Sequence, residues 1–479
     1  MSKLRFLLGF DVLELDLDHH PVLNPSTTVL NYLRHLNDHK GVKEGCAEGD
    51  CGACTVVVAF PDEYGQLRYM AVNSCLVFLP WLHGKQLITV EHLSLGGELH
   101  SVQQWMVDLY GSQCGFCTPG IIMSLFALFK NNTPPSREKA IQLMSGNLCR
   151  CTGYQPILEA AMLAMEADGK DHFSPWEPTM LAKLKEIAGE PLSFNNGVQQ
   201  YFRPASLEEA LGIRLTNPDA LLCNGATDIA LLQSKKHQLL PKILDLSGID
   251  ELRTFHEDSR GFILGSGLSI ETLWNRLEDV PVFNQLFSVF ASHQIRNMAT
   301  LGGNIGSASP IGDSLPILIA LEATVILASS SGKREFPVEE FITGYRRTQL
   351  NGDEIIHSVR VPYLPLNSEI RFFKVSKRKE LDISTVSLAA RLECNLEKKI
   401  LKCILAFGGV AEKPVRATAA ESWLEGKVWS RSTAETAAGM VFTAFSPISD
   451  ARSCKEARNI TARNLILKFF LETSGNHET

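Results

Sequence analysis

The sequence predicts an α+β protein built from several modules. Three observations carry this. The chain has 479 residues, and at roughly 150 residues per domain that implies about three cores. The hydrophobic period changes from strand-like to helical near residue 98, and a charged, proline-bearing stretch at 166–192 divides two patterned halves. With 45% hydrophobic and 21% charged residues the composition is that of a packed globular protein, and no repeat of solenoid length is present.

The elements follow in order. Leu4–Leu15 alternates and reads as a hairpin, and a helix capped at Ser26/Thr27 should carry Val29, Leu30, Leu33 and Leu36. A glycine-rich loop from Gly41 to Gly52 leads into the strand Thr55–Phe60, so residues 1–90 fit a small mixed sheet crossed by a helix. In 91–165, Val102, Trp105, Met106 and Leu109 share one helical face; Ile121–Lys130, Ser136–Met144 and Pro156–Met165 add three more helices. Residues 166–192 read as a linker. A third module, 193–366, opens with a capping box from Ser206 to Glu209 and alternates strands with glycine turns. The last, 367–479, should carry strands Ile370–Val375, Ser384–Leu392 and Ile400–Phe407, a short helix at Glu421–Leu424 and a C-terminal amphipathic helix.

The net charge of -7 is spread without basic runs, which argues against nucleic acid or an anionic membrane as partner. Lys3 and Arg5 precede a short apolar run, but Asp11, Glu14, Asp16 and Asp18 follow at once, unlike a signal peptide. With no apolar run of about 18 residues to span a bilayer, the expected location is the cytoplasm.

Eight of twelve cysteines fall within residues 46–151. In a chain without a secretion signal such clustering points to metal ligands. Cys46-x4-Cys51-x2-Cys54, with twenty residues between Cys54 and Cys75, is the plant-type ferredoxin spacing for a 2Fe-2S cluster. Gly45, Gly49 and Gly52 supply the positive backbone angles and close amide approach that a loop around an inorganic core needs. A zinc ribbon would prefer two Cys-x2-Cys knuckles, and only one short pair is here. The second set, Cys114-x2-Cys117 and Cys149-x-Cys151, lies at helix ends; its spacing alone leaves both an iron cluster and zinc open. Cys223, Cys394, Cys403 and Cys454 are scattered singly and are expected to be inert buried thiols.

Two further segments carry turn chemistry. Ala220–Ile229 reads as a strand entering a tight turn, a backbone nest suited to a pyrophosphate, though alone it is equally an ordinary strand–turn–helix. Phe290–Asp313 combines an aromatic, an Arg-Asn pair, paired glycines and closely spaced hydroxyls. No Gly-x-Gly-x-x-Gly is present, so a Rossmann fingerprint is excluded. The run Lys377–Ser384 is either a solvated loop or a charged rim controlling access to a cofactor.

Gln113–Gly120, Gly146–Tyr154 and Glu44–Thr55 closely resemble the two cluster motifs of the xanthine dehydrogenase and aldehyde oxidase family of molybdenum hydroxylases, and Phe290–Asp313 resembles its FAD motif. The resemblance covers nearly the whole chain. It implies a β-grasp 2Fe-2S ferredoxin domain, a four-helix 2Fe-2S domain, an α+β FAD-binding domain and a C-terminal α/β flavoprotein domain. By the same resemblance Cys46, Cys51, Cys54 and Cys75 hold one cluster, and Cys114, Cys117, Cys149 and Cys151 the other. Gly225, Ala226, Thr227, Asp228 and Ile229, with Thr300, Leu301, Gly302, Gly303 and Asn304, grip FAD phosphates; Phe290, Asp313, Ile356 and Lys374 complete the site. Ala226 stands where some members have glycine or asparagine.

The same likeness implies an electron-transfer subunit without catalytic side chains of its own. Gln113 and Cys151 would face the pterin of a molybdenum cofactor on a large partner subunit, in a heterotetramer of two small and two large chains. Electrons from hypoxanthine or xanthine, oxidised to urate, would pass through the helical-domain cluster and the ferredoxin-like cluster to FAD and leave to NAD. An aldehyde or N-heterocycle hydroxylase subunit and a stand-alone NADH:acceptor flavoprotein are the alternatives. Full retention of the cluster and flavin motifs weighs against a non-catalytic insertion factor.

Overall fold

The computed structural model describes residues 2–474. The chain divides into two compact units: residues 1–250 with 291–299, and residues 251–290 with 300–479.

In the first unit, Leu4–Leu8 and Asp11–Leu15 form the expected hairpin, with Leu4 opposite Leu15. Leu4–Leu8 also pairs in parallel with Gln86–Ile88, which pairs antiparallel with Thr55–Pro61, itself paired with Leu67–Asn73. The helix Val29–His35 crosses this five-stranded sheet, its N-terminus capped by Thr28, whose hydroxyl accepts the N–H of Asn31. This is a β-grasp arrangement. Four helices follow: Ser101–Asp108, Thr118–Lys130, Arg137–Met144 and Gln155–Glu166. Thr118–Lys130 is buried over nearly its whole circumference because it is apolar all round, packing on Thr55–Pro61 on one side and on Gln155–Glu166 on the other.

The segment 166–192 is more ordered than its charge implies. Glu177–Ile187 is a helix, with Pro178 in the first turn, where its missing N–H costs nothing. Met180, Leu184 and Ile187 bury one face of it against Leu7. Beyond it, Leu192–Asn195, Gln200–Arg203, Lys242–Asp245 and Leu221–Cys223 make a four-stranded mixed sheet whose core is continuous with that of the ferredoxin-like module. Ser206 caps the helix Leu207–Thr216 by accepting the N–H of Glu209, while the Glu209 carboxylate reaches back to the N–H of Ala205, one residue earlier than a regular capping box.

Among the described residues the second unit has two larger antiparallel sheets, besides the two-stranded pair Ile342–Gly344 with Arg347–Thr348. One runs in the order 255–258, 261–265, 355–362, 324–329, 332–337; the other joins Ser368–Val375, Val386–Cys394, Ile400–Gly408 and Val415–Arg416. Helices Thr418–Leu424, Arg431–Ala444 and Lys455–Thr473 cover the second sheet, with Ala437, Ala438, Ile466 and Phe469 in the core. The alanine-rich middle helix was invisible as periodicity, since small residues give little hydrophobic contrast.

Of the four scattered cysteines, Cys223 and Cys403 are buried and burial raises both thiols well above their ordinary range. Cys394 is half-buried. Cys454 is exposed at the start of the last helix, contrary to the expectation of a buried thiol.

Candidate iron-sulfur and flavin sites

The eight clustered cysteines come together as two sets of four, and each set is arranged as two pairs. In the first, the Cys46 and Cys51 thiols hydrogen-bond to each other, and Cys54 Sγ lies 3.4 Å from Cys75 Sγ. In the second, Cys114 meets Cys151 and Cys117 meets Cys149. Among the described residues no group of three or more His, Cys, Asp and Glu closes around a single ion. Two thiols per metal is the donor set of a two-iron core with four cysteine ligands.

Local structure explains the placement. Gly49 and Gly52 adopt φ +82° and +70°, and the N–H groups of Glu48 and Asp50 point at Cys46 Sγ from 3.4 and 3.3 Å. Amides aimed at sulfur stabilise an anionic cluster. In the second set, Gly115 and Gly153 turn with φ +81° and +69°, and Cys117 sits at the N-terminus of Thr118–Lys130. The Cys149 N–H donates to the Tyr154 hydroxyl at 2.8 Å, and Cys149 Sγ lies 3.2 Å from Thr152 Oγ1.

Protonation follows the same pairs. Hydrogen bonding from Cys51, helped by the two amides, draws the Cys46 thiol down to about 5, while Cys51 is pushed up by Cys46. Cys75 draws Cys54 down and is itself raised by it. Cys114 is lowered by the Phe116 N–H and by Cys151, which Cys114 raises in turn. Burial, with Cys149 beside it, pushes Cys117 up to about 12; Cys149 is lowered because hydrogen bonds, that of Thr152 first, outweigh its own burial. Within each pair one thiol is thus drawn down and its partner held up, and metal binding would require both as thiolates.

The flavin candidates fall in both units. In the first, Gly225 has φ +83°, and a side chain there would place Cβ 1.8 Å from the Met298 carbonyl oxygen. Ala226 follows with φ +60°, the left-handed region that glycine and asparagine favour. Thr227 and Asp228 complete the turn, and Ile229 leads into the short helix Ala230–Ser234.

In the second unit, Thr300 caps Leu301–Gly306 by accepting the N–H of Gly303, and Gly302 is so close to Ser266 that a Cβ would lie 2.6 Å from that side chain. Asn304 accepts from the Ser314 hydroxyl at 2.6 Å. Phe290 and Ile356 are buried. Lys374 Nζ donates to Asp313 at 2.7 Å and to the Val289 carbonyl at 3.0 Å, and Ser384 donates to the other Asp313 oxygen. The Lys374–Asp313 pair is buried, and the ammonium has one more N–H than these two bonds use. Ser384 was read only as the end of a charged run. Residues 291–299, in the first half of the second flavin segment, belong to the first unit.

Fold and thiol arrangement together define an iron-sulfur flavoprotein. Residues 19–79 match the 2Fe-2S iron-sulfur cluster binding domain and 89–162 the [2Fe-2S] binding domain. Residues 193–364 match the FAD binding domain in molybdopterin dehydrogenase, and 371–473 the CO dehydrogenase flavoprotein C-terminal domain. The chain is 34% identical to the xanthine dehydrogenase of Emericella nidulans over 89% of its own length and 35% of that protein's. To the Mus musculus xanthine dehydrogenase/oxidase it is 33% identical, over 86% and 34%. It therefore spans about a third of the length of these relatives. Among solved structures, quinoline 2-oxidoreductase from Pseudomonas putida 86 aligns with TM-score 0.53 and 26% identity, over 57% of this chain and 96% of that one. A carbon monoxide dehydrogenase chain from Hydrogenophaga pseudoflava shares the fold, with TM-score 0.54 and 24% identity over 58% and 96%. The chain belongs to the molybdenum hydroxylase family, as a small-subunit-like protein carrying its iron-sulfur and flavin domains.

Proposed function

We propose that this chain is the electron-transfer subunit of a xanthine dehydrogenase. It receives electrons from a molybdenum centre on a large molybdopterin-binding partner, passes them through two 2Fe-2S clusters to FAD, and delivers them to NAD as hypoxanthine or xanthine becomes urate. The observation that carries this reading is the presence of two paired four-thiol sets in one compact unit, joined in one chain to flavin-binding segments. Cys46, Cys51, Cys54 and Cys75 hold one cluster, Cys114, Cys117, Cys149 and Cys151 the other. FAD is held by Gly225, Ala226, Thr227, Asp228, Ile229, Phe290, Thr300, Leu301, Gly302, Gly303, Asn304, Asp313, Ile356 and Lys374. These cofactors supply the redox chemistry; the chain supplies distance, shielding and hydrogen bonds.

The identity to named xanthine dehydrogenases supports the purine reading, and no helix among the described residues is long and apolar enough to cross a membrane. We place the protein in the cytoplasm, in a heterotetramer of two small and two large chains. The exposure of Cys114, Cys151 and Phe116 supports docking of the partner at that end of the helical module. The likeness to quinoline 2-oxidoreductase favours one second reading, the equivalent subunit of an N-heterocycle hydroxylase.

The test uses the isolated chain. It should oxidise NADH with an artificial dye as acceptor and show no xanthine-dependent NAD reduction until the large molybdenum-containing partner is added. Xanthine oxidation by the molybdenum-free chain would overturn the subunit reading, and quinoline-type activity in place of xanthine activity in the assembled complex would establish the second reading.

A further inference from the structure

The two cysteine sets are stitched together by one buried amide. Asn147, two residues before Cys149, is 2% exposed. Its Nδ2 donates at 3.2 Å to the carbonyl of Gly52, the residue after Cys51, and at 3.2 Å to Thr55 Oγ1. Its Oδ1 accepts from Ser124 Oγ at 2.6 Å, in the helix that starts beside Cys117, and from Gln294 Nε2 at 2.8 Å. Gln294 donates to Ser124 as well, at 3.2 Å. Both Asn147 oxygen bonds and both nitrogen bonds are therefore made, which fixes the amide's orientation.

Around this amide the backbones converge. The N–H of Leu148 donates to the Cys51 carbonyl at 2.9 Å, so a ligand of one set and the neighbour of a ligand of the other are separated by a single hydrogen bond. Three glycines make the approach feasible. A Cβ on Gly52 would lie 2.2 Å from the Gly146 carbonyl oxygen, one on Gly120 2.1 Å from the Gly52 carbonyl oxygen, and one on Gly146 1.9 Å from Gln294 Oε1. Space at the junction is thus spent on bringing main chains together, with the Asn147, Ser124 and Gln294 side chains bonded to one another among them.

We propose that Asn147 is a positioning residue that locks the two cluster-bearing loops at a fixed separation and holds the Cys51–Leu148 hydrogen bond as the electronic link between them. This rests on the reading of both sets as 2Fe-2S sites. Passage across the link is a one-electron event in which the helical-module side is oxidised, the ferredoxin-like side is reduced and no proton moves. Gln294 extends the lock to residues 291–299, the piece of the flavin segment that folds with this unit. Loss of the Asn147 amide would remove the donor that ties Gly52 and Thr55 to this loop and the acceptor shared by Ser124 and Gln294, leaving the Gly52 carbonyl to the Thr55 N–H and hydroxyl alone and Gln294 to Ser124.

The test is electron paramagnetic resonance of the fully reduced full-length chain, where two nearby clusters show a mutual spin–spin interaction that depends on their separation and on the link. Wild-type protein should hold about four irons and show that interaction; about two irons, or zinc, would defeat the two-cluster reading itself. Asn147→Ala, at unchanged iron content, should weaken the interaction clearly and slow electron equilibration between the clusters relative to wild type. Asn147→Asp, which turns the donor toward Gly52 into an acceptor, should do the same. An unchanged interaction and rate in iron-replete Asn147→Ala would overturn the proposal while leaving the cluster assignment standing. If Asn147→Ala fails to load iron, Ser124→Ala and Gln294→Met decide: they keep both Nδ2 bonds and should shift the interaction in the same direction by less. Wild-type spectra from both would overturn the proposal.

Discussion

At the scale of single residues, the sulfur pairs make a sharper statement than the cysteine count. Cys46 with Cys51 and Cys54 with Cys75 define one site, Cys114 with Cys151 and Cys117 with Cys149 the other. Cys51→Ser should therefore remove one of two paramagnetic signals and Cys149→Ser the other, with iron falling from about four toward about two per chain in each. A variant that erased both signals equally without unfolding would contradict the division. The eight ligands were legible in the sequence because their spacing is local and set between glycines. Their pairing was not, since it depends on how loops separated by helices fold back on one another. Asn147 and Gln294 were hidden for the same reason: both stand in quoted motifs, but their bond joins positions far apart in the chain. Ala226 was legible as a departure, and its φ of +60° lies in the left-handed region.

Among elements, the stretch 166–192 departs furthest from its reading. Two of its carboxylates, Asp171 and Glu177, turn toward buried partners. Lys130 Nζ, buried at the end of Thr118–Lys130, meets Asp171 at 3.0 Å and Glu177 at 2.7 Å, and His100 Nε2 lies 3.1 Å from Asp171. Tyr69 donates to Glu177 at 2.9 Å. Burial alone would raise the Asp171 carboxyl, but the His100 hydrogen bond and the Lys130 charge outweigh it and hold the group at about 2. Because this is below the unfolded carboxylate value of about 3.9, the contribution to stability is complete above that pH and disappears as pH falls through about 2. Asp171→Asn leaves Lys130 buried with a weaker partner set, and should destabilise the first unit by about 3 kcal/mol at neutral pH. Denaturant titration followed by far-ultraviolet circular dichroism checks this. The gap between mutant and wild type should close near pH 2, and a gap that widened with acid would contradict the assignment. A composition-based linker reading misses such an element because charge run and proline content say nothing about where the charges point.

For the whole molecule, the chain passes between its two units more than once, with 251–290 in the second, 291–299 back in the first and 300–479 in the second again. The cysteine sets lie wholly in the first unit, whereas candidate flavin residues lie in both, so iron and flavin content should be separable by mutation. Gly225→Val forces a side chain into a position with φ +83° and a Cβ 1.8 Å from the Met298 carbonyl oxygen, and should cost flavin through the first unit. Asp313→Ala removes the partner of the buried Lys374 ammonium and should cost flavin through the second. Both variants should keep about four irons and both paramagnetic signals. In wild type, acid precipitation should release the flavin into the supernatant, because FAD is expected to be held without a covalent bond, and dye-linked NADH oxidation in each variant should fall in proportion to the flavin released. A variant that kept full flavin would remove its segment from the cofactor site. One that lost iron along with flavin would show instead that the substitution disturbed the fold of the unit, and the milder Ala226→Gly, which suits the left-handed backbone at that position, would then retain both cofactors if the turn itself is sound.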